Sequence, residues 1–384
     1  MRRKKMNSSP SKKVLLKDLL FNEAKLIKIS QEIQVVYPDF QKKDFIIEAI
    51  NKFNNLELKA RISWTSQCLK KYLPSNYKDA VNILIKALPI ENNPDLDDKD
   101  FGDFIYASYG EFVAKYGCDR ANLELSLNAL YEITKRFSAE DAIRYFINSF
   151  PQETLAQLQK WSCNKNYHVR RLSCEGTRPK LPWCQKIQIP VNLPFAILDN
   201  LYMDSKRYVT RSVANHLNDV SKIDSNLVIN KLREWQNSQK QNDKEMNYII
   251  NHALRSLIKA GDERAINFIG ASANINLELL NLQVSKEVKI NNSLDFNFEL
   301  KANENALIIV DYVIYFCNKF GKIGGNKVFK IKNLNLIKGK NFYIRKSHKF
   351  RENMTTRKIY CGEHYLEIKI NGKSFAKKSF IISK

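Results

Sequence analysis

The sequence predicts two architectures in series, an all-helical repeat region and then an all-β sandwich. Three observations carry this. Between Val14 and about Ala273 apolar residues recur at three- and four-residue steps, and within that stretch one segment returns after 40 residues. Beyond a soft boundary near Ile275 the period falls to two. A chain of 384 residues has room for two or three domains with real cores.

Residues 1–13 hold six Lys/Arg among Ser, Asn and Pro with no periodicity, the pattern of a disordered basic arm. Asp44 to Phe53, Leu123 to Thr134 and Ala139 to Ile147 then read as amphipathic helices separated by Pro, Asn or Gly breaks. Tyr167-His-Val-Arg-Arg-Leu-Ser-Cys-Glu175 aligns with Arg207-Tyr-Val-Thr-Arg-Ser-Val-Ala-Asn215, placing Val169 over Val209 and Arg171 over Arg211. A third helix around Tyr248 to Ile258 follows after a similar interval. A 40-residue period in helical sequence is that of HEAT-type helix pairs stacked into a solenoid, assigned here to residues 14–275.

From residue 277 to 384 the reading changes. Leu294, Phe296, Phe298 and Leu300 alternate with polar residues, as do Leu366, Ile368 and Ile370. Asn371-Gly372 supplies the two positive-φ residues of a type I′ hairpin, before Phe375 to Ile382 returns as a partner strand. About seven short strands in roughly 105 residues fit an immunoglobulin-like sandwich, without the Cys and Trp spacing of antibody domains.

Charge points to a polyanion. There are 63 Lys+Arg against 40 Asp+Glu, a formal net charge of +23, and the span 277–384 alone holds 21 basic and 9 acidic residues, 21 − 9 = +12. Lys327 to Lys332 and Lys338 to Arg357 interleave cations with aromatics, making Lys346, Lys349 and Arg357 candidate DNA contacts. Seven scattered Cys without a CxxC, and five His without an HExxH, argue against a disulfide framework or a metal site, so no metal or cofactor is expected. No apolar run is long enough to span a bilayer; a cytoplasmic, nucleoid-associated monomer with no membrane partner is expected.

On a helical wheel with Val209 facing the core, Val213, Leu217 and Val220 complete a buried stripe. Arg211, Asn215, Asn218 and Asp219 fall opposite, and Arg171 and Glu175 take the matching positions one repeat earlier. Successive repeats should therefore line one surface, with Arg171, Arg178 and Arg211 around Glu175 and Asp219. The simplest role for each acid is an i,i+4 salt bridge on a solvated face. Against it stands Gly176-Thr-Arg-Pro-Lys-Leu-Pro-Trp183, in which Gly and two Pro end the helix and hold Trp183 in a loop beside the acid.

His168-Val-Arg-Arg-Leu, Glu175-Gly-Thr-Arg-Pro-Lys-Leu-Pro-Trp183 and Ser212-Val-Ala-Asn-His-Leu-Asn-Asp219 resemble the AlkC branch of the HEAT-like-repeat DNA alkylation-repair glycosylases. Ile133-Thr-Lys-Arg-Phe137, Ala142-Ile-Arg144 and His252-Ala-Leu-Arg-Ser-Leu257 agree. A departure is Tyr145, where Pro is expected in relatives. The resemblance implies hydrolysis of the N-glycosidic bond of cationic methylated bases, 3-methyladenine and 3-methylcytosine, in duplex DNA. It also implies Glu175, Asp219 and Trp183 as the catalytic group, with Arg171, Arg178, Arg211, Asn215, His216 and Asn218 toward the DNA. The rivals are a non-enzymatic HEAT-repeat protein that binds damaged or bent DNA, which would not require the two acids, and a protein-binding HEAT scaffold, whose concave face would not be so basic.

Overall fold

The computed structural model describes residues 15–93, 102–272, 274–352, 354 and 357–384. The expected basic arm, 1–13, lies outside them. The chain divides into two compact units, one of residues 1–219 with 239–249 and the other of residues 220–238 with 250–384.

Every regular element described in the first unit is a helix. Short polar breaks separate them, and side chains cap several starts: Asn22, Asn76 and Asn166 each accept a backbone N–H of the first turn, removing one otherwise orphaned donor. The repeat is present as the helices Tyr167–Glu175 and Arg207–Val220, and a third begins with Asp243–Ala260. Val169, Leu172, Val209, Val213, Leu217 and Val220 are all fully buried, as the wheel requires. Tyr145 sits in the first turn of the helix Ile143–Ser149, where its N–H bonds Ala142 O at 3.2 Å; a first turn tolerates either Pro or Tyr.

Gly176 closes the helix Tyr167–Glu175 for a packing reason. A Cβ there would lie 2.6 Å from Cγ2 of Ile143, so only glycine lets this helix end approach the helix Ile143–Ser149.

The second unit holds the sandwich. Its strands are β1 Leu277–Val284, β2 Glu287–Lys289, β3 Ser293–Ala302, β4 Ala306–Cys317, β5 Ile323–Leu336, β6 Asn341–Lys349, β7 Gly362–Ile370 and β8 Lys373–Ser383. They form a three-stranded sheet, β1-β3-β6, and a five-stranded sheet, β2-β8-β7-β4-β5, in which only β2–β8 is parallel. The alternating residues of β3 and β7 face each other across the core with Ile308, Val310, Tyr312 and Ile314 of β4. Asn371 and Gly372, at φ 48° and 77°, make the two-residue turn between β7 and β8, pairing Ile370 with Lys373. Helix gives way to strand at Leu277, yet the compact unit around the sandwich reaches back to residues 220–238 and 250–272. Part of the reason is visible at the hairpin: a Cβ on Gly372 would fall 2.2 Å from Cα of Gly261, so the turn rests directly on the backbone that leaves the helix Asp243–Ala260.

Candidate functional site

The two acids singled out by sequence meet at one guanidinium. Glu175 ends its helix, Arg178 lies three residues on in the loop, and Asp219 comes from the next repeat. Arg178 donates to Glu175 Oε1 through Nη1, and to Asp219 Oδ2 through Nε at 3.0 Å and Nη2 at 2.9 Å. Ser212 donates its hydroxyl to Glu175 Oε2, and Arg171 stands 3.7 Å from the same oxygen. Arg171 also bonds Glu140 at 2.7 Å and lies over the Tyr208 ring, 4.6 Å from its centre. Three carboxylates and two guanidiniums give the cluster a formal charge of −1.

Glu175, Asp219 and Arg178 are all buried, so this is not the solvated i,i+4 pair considered above. Burial pushes the Glu175 carboxyl up, but Arg171, Arg178 and the Ser212 hydroxyl outweigh it and hold the carboxyl below the usual carboxylate range. Burial likewise works against the charge on Arg178, and its two acids overcome it and raise its pKa. Glu175 therefore stays ionised at neutral pH.

Trp183 is placed differently. It is 83% exposed and its backbone is left-handed, φ 66°, a strained conformation for a bulky residue. Leu181 is buried beneath the loop, and Lys59 donates to the Trp183 carbonyl while pairing with Asp141 at 3.1 Å. An indole held out to solvent by an anchored loop is available to stack on something that arrives.

One expectation needs correction. Arg178, His216 and Asn218 are expected toward the DNA, but all three are buried, at 9%, 0% and 2% exposure. The helix Arg207–Val220 packs on two sides, meeting Cys174 and Glu175 of the preceding repeat and Glu245 of the following helix, so its buried arc extends past the apolar stripe onto polar residues. His216 Nδ1 lies 3.3 Å from Cys174 O, and burial lowers its pKa to about 4. Arg211 and Asn215 remain partly open on the expected stripe. In the sandwich, the candidates Lys346 and Lys349 lie on opposite faces of β6. Alternation along β6 gives Lys349 the exposed side with Tyr343 and Arg345, whereas Lys346 shares the half-buried side of Ile344 and His348. Arg357 is folded over the Phe316 ring at 3.9 Å.

Ser212, Glu140, Lys59 and Arg144 were given no role from sequence. Ser212 and Arg144 lie inside the quoted motifs, but their partners are 32 to 41 residues away, about one repeat, and no local pattern names them.

Helical repeats bearing a buried acid cluster, joined to an immunoglobulin-like sandwich, define the class of HEAT-like-repeat proteins with an appended β-domain. A family model described as the C-terminal Ig-like domain of the uncharacterised protein YhaZ matches residues 278–384. The uncharacterised protein YhaZ of Bacillus subtilis (strain 168) is 32% identical over 359 residues, 92% of this chain and 96% of that one. The solved structure of Pseudomonas fluorescens alkylpurine DNA glycosylase AlkC, bound to DNA containing an abasic site analogue, is 34% identical with a TM-score of 0.86, covering 97% of this chain and all of that one. The chain belongs to the AlkC family of HEAT-like-repeat proteins.

Proposed function

We propose that this protein is a base-excision-repair DNA glycosylase that removes cationic alkylated bases, 3-methyladenine and 3-methylcytosine, from duplex DNA. The observation that carries the reading is the Glu175–Arg178–Asp219 cluster, built from the segments whose sequence resembles the AlkC branch. An N3-alkylated base already bears positive charge, so it departs without a strong general acid. As the glycosidic bond lengthens the electron pair leaves with the base and the sugar becomes oxocarbenium-like; an ionised carboxylate close by stabilises that cation and orients the attacking water. Glu175 is held ionised by its neighbours and suits this role, with Asp219 sharing it through Arg178. Trp183 offers its face to the lesion nucleotide, where a cationic base or sugar is favoured over a neutral one. Arg211, Asn215 and Lys349, all at least partly open, supply phosphate contacts. The protein acts as a monomer and needs no metal or cofactor for this chemistry.

The deciding experiment incubates the full chain with methylated duplex DNA and follows free base by chromatography. Release of 3-methyladenine above the spontaneous rate is expected. Tight binding to the same duplex without release would instead favour a non-enzymatic binder of damaged or bent DNA.

A further inference from the structure

Arg144, on the helix Ile143–Ser149, is among the largest fully buried side chains, 1% exposed. Among the described residues it forms no ion pair. Its guanidinium donates only to backbone carbonyls: Nη1 to Gly176 O at 2.9 Å and Arg178 O at 2.8 Å, and Nε to Gln185 O at 2.6 Å. These carbonyls bracket the loop that carries Trp183. One turn further on, Asn148 donates to Lys186 O and accepts from Gln188 N, each at 2.9 Å, so the same helix fastens the returning strand of the loop. Arg178 links the two halves of the arrangement, because its carbonyl is held by Arg144 while its side chain holds both acids.

A guanidinium taken out of water without a carboxylate is costly to bury, and an apolar residue would fill the volume more cheaply. What the planar fork adds is geometry: it fixes three carbonyls of one loop at set positions. We infer that Arg144 is a positioning residue of the active site, setting where Trp183 stands relative to the Glu175–Asp219 pair. The inference rests on the glycosylase reading. It concerns a residue that touches neither base nor sugar and acts through the loop.

The test compares the full-length wild type with Arg144→Lys, Asn148→Ala, Trp183→Ala and the two doubles that combine a loop-fastening change with Trp183→Ala. Single-turnover release of 3-methyladenine is measured beside affinity for undamaged duplex. Arg144→Lys keeps the charge but not the fork, and should slow excision about 100-fold, as expected for a reacting geometry displaced by an ångström, while duplex affinity stays within about twofold. The double with Trp183→Ala should be no slower than the slower single, since both changes disable one element. Asn148→Ala should act in the same direction more weakly. A folded Arg144→Lys protein that excises at the wild-type rate, or losses that multiply with Trp183→Ala, would overturn the inference. If Arg144→Lys fails to fold, the Asn148 and Trp183 cycle decides by the same criterion. If the wild type itself releases no base, the glycosylase reading fails, and the fastening role is then judged by hydrogen exchange of Arg144→Lys or Asn148→Ala. Faster exchange across residues 176–185 with the helix Arg207–Val220 unchanged supports that role, and unchanged exchange across 176–185 overturns it.

Discussion

Glu175 and Asp219 share one guanidinium, so their contributions cannot be independent. Glu175→Gln and Asp219→Asn keep shape and remove charge; each should slow 3-methyladenine release by about 10²-fold with little loss of duplex affinity. The double variant should fall short of the product of the singles, because Arg178 reorganises once either partner is neutral. Wild-type release by both single variants would remove the acids from the mechanism. His216 sets a second expectation. In the folded protein it protonates only near pH 4, whereas an unfolded histidine does so near about 6.5, so acid favours the unfolded chain. Stability should be undiminished by this group above about pH 6.5 and decline as pH falls toward 4, by on the order of 3 kcal/mol if that depression is fully expressed. Glu175, with its lowered pKa, adds to the loss at the acid end. Urea midpoints measured from pH 8 to 4.5 should trace this decline, and His216→Gln, which keeps a donor for Cys174 O without the titration, should remove the His216 share and leave the part due to His348 and His364, whose pKa values burial also lowers.

At the scale of elements, Gly176 is the junction on which the site depends. Gly176→Ala would drive a methyl group into Ile143, and overpacking of this kind costs about 1–3 kcal/mol. Thermal melting should register that loss, and excision should fall further than stability alone explains, since the loop to Trp183 starts there. Much of this level was legible in the sequence. Val169 over Val209 marked the repeat, alternation in β3 and β7 marked the sandwich, and Asn371-Gly372 marked its hairpin, because each is a local pattern with a local cause. The exposed Trp183 followed from the Gly and Pro around it. Arg178 beside both acids followed from the repeat, but its burial, and that of His216 and Asn218, did not. A helical wheel presumes one buried side; the helix Arg207–Val220 has neighbours on two.

Across the whole molecule, the proposed function assigns affinity to the charge of +23 and selectivity to the cluster. Neutral lesions offer the same phosphates but no cation, so uracil in duplex DNA should bind comparably and be released far more slowly than 3-methyladenine; efficient uracil removal would call for a different pocket. Log–log plots of affinity against salt should be steep, and Arg345→Ala and Lys349→Ala, both on the exposed side of β6, should each lower the slope by about 0.9 if they meet phosphates. An unchanged slope would assign that side of the sandwich to another partner. The strand order carries a consequence for biosynthesis. β8 lies between β2 and β7, so the edge strand β2 is cut off from β7-β4-β5 until Lys373–Ser383 has left the ribosome. The helical repeats, whose contacts span about one period, can condense while the chain is still emerging; β5, β4 and β7 can pair with one another, but β2 has no partner in its sheet and β7 keeps one open edge until the segment translated after them arrives. Chains stalled before residue 373 should thus present a protease-resistant helical portion and a β portion that is digested or captured by chaperones.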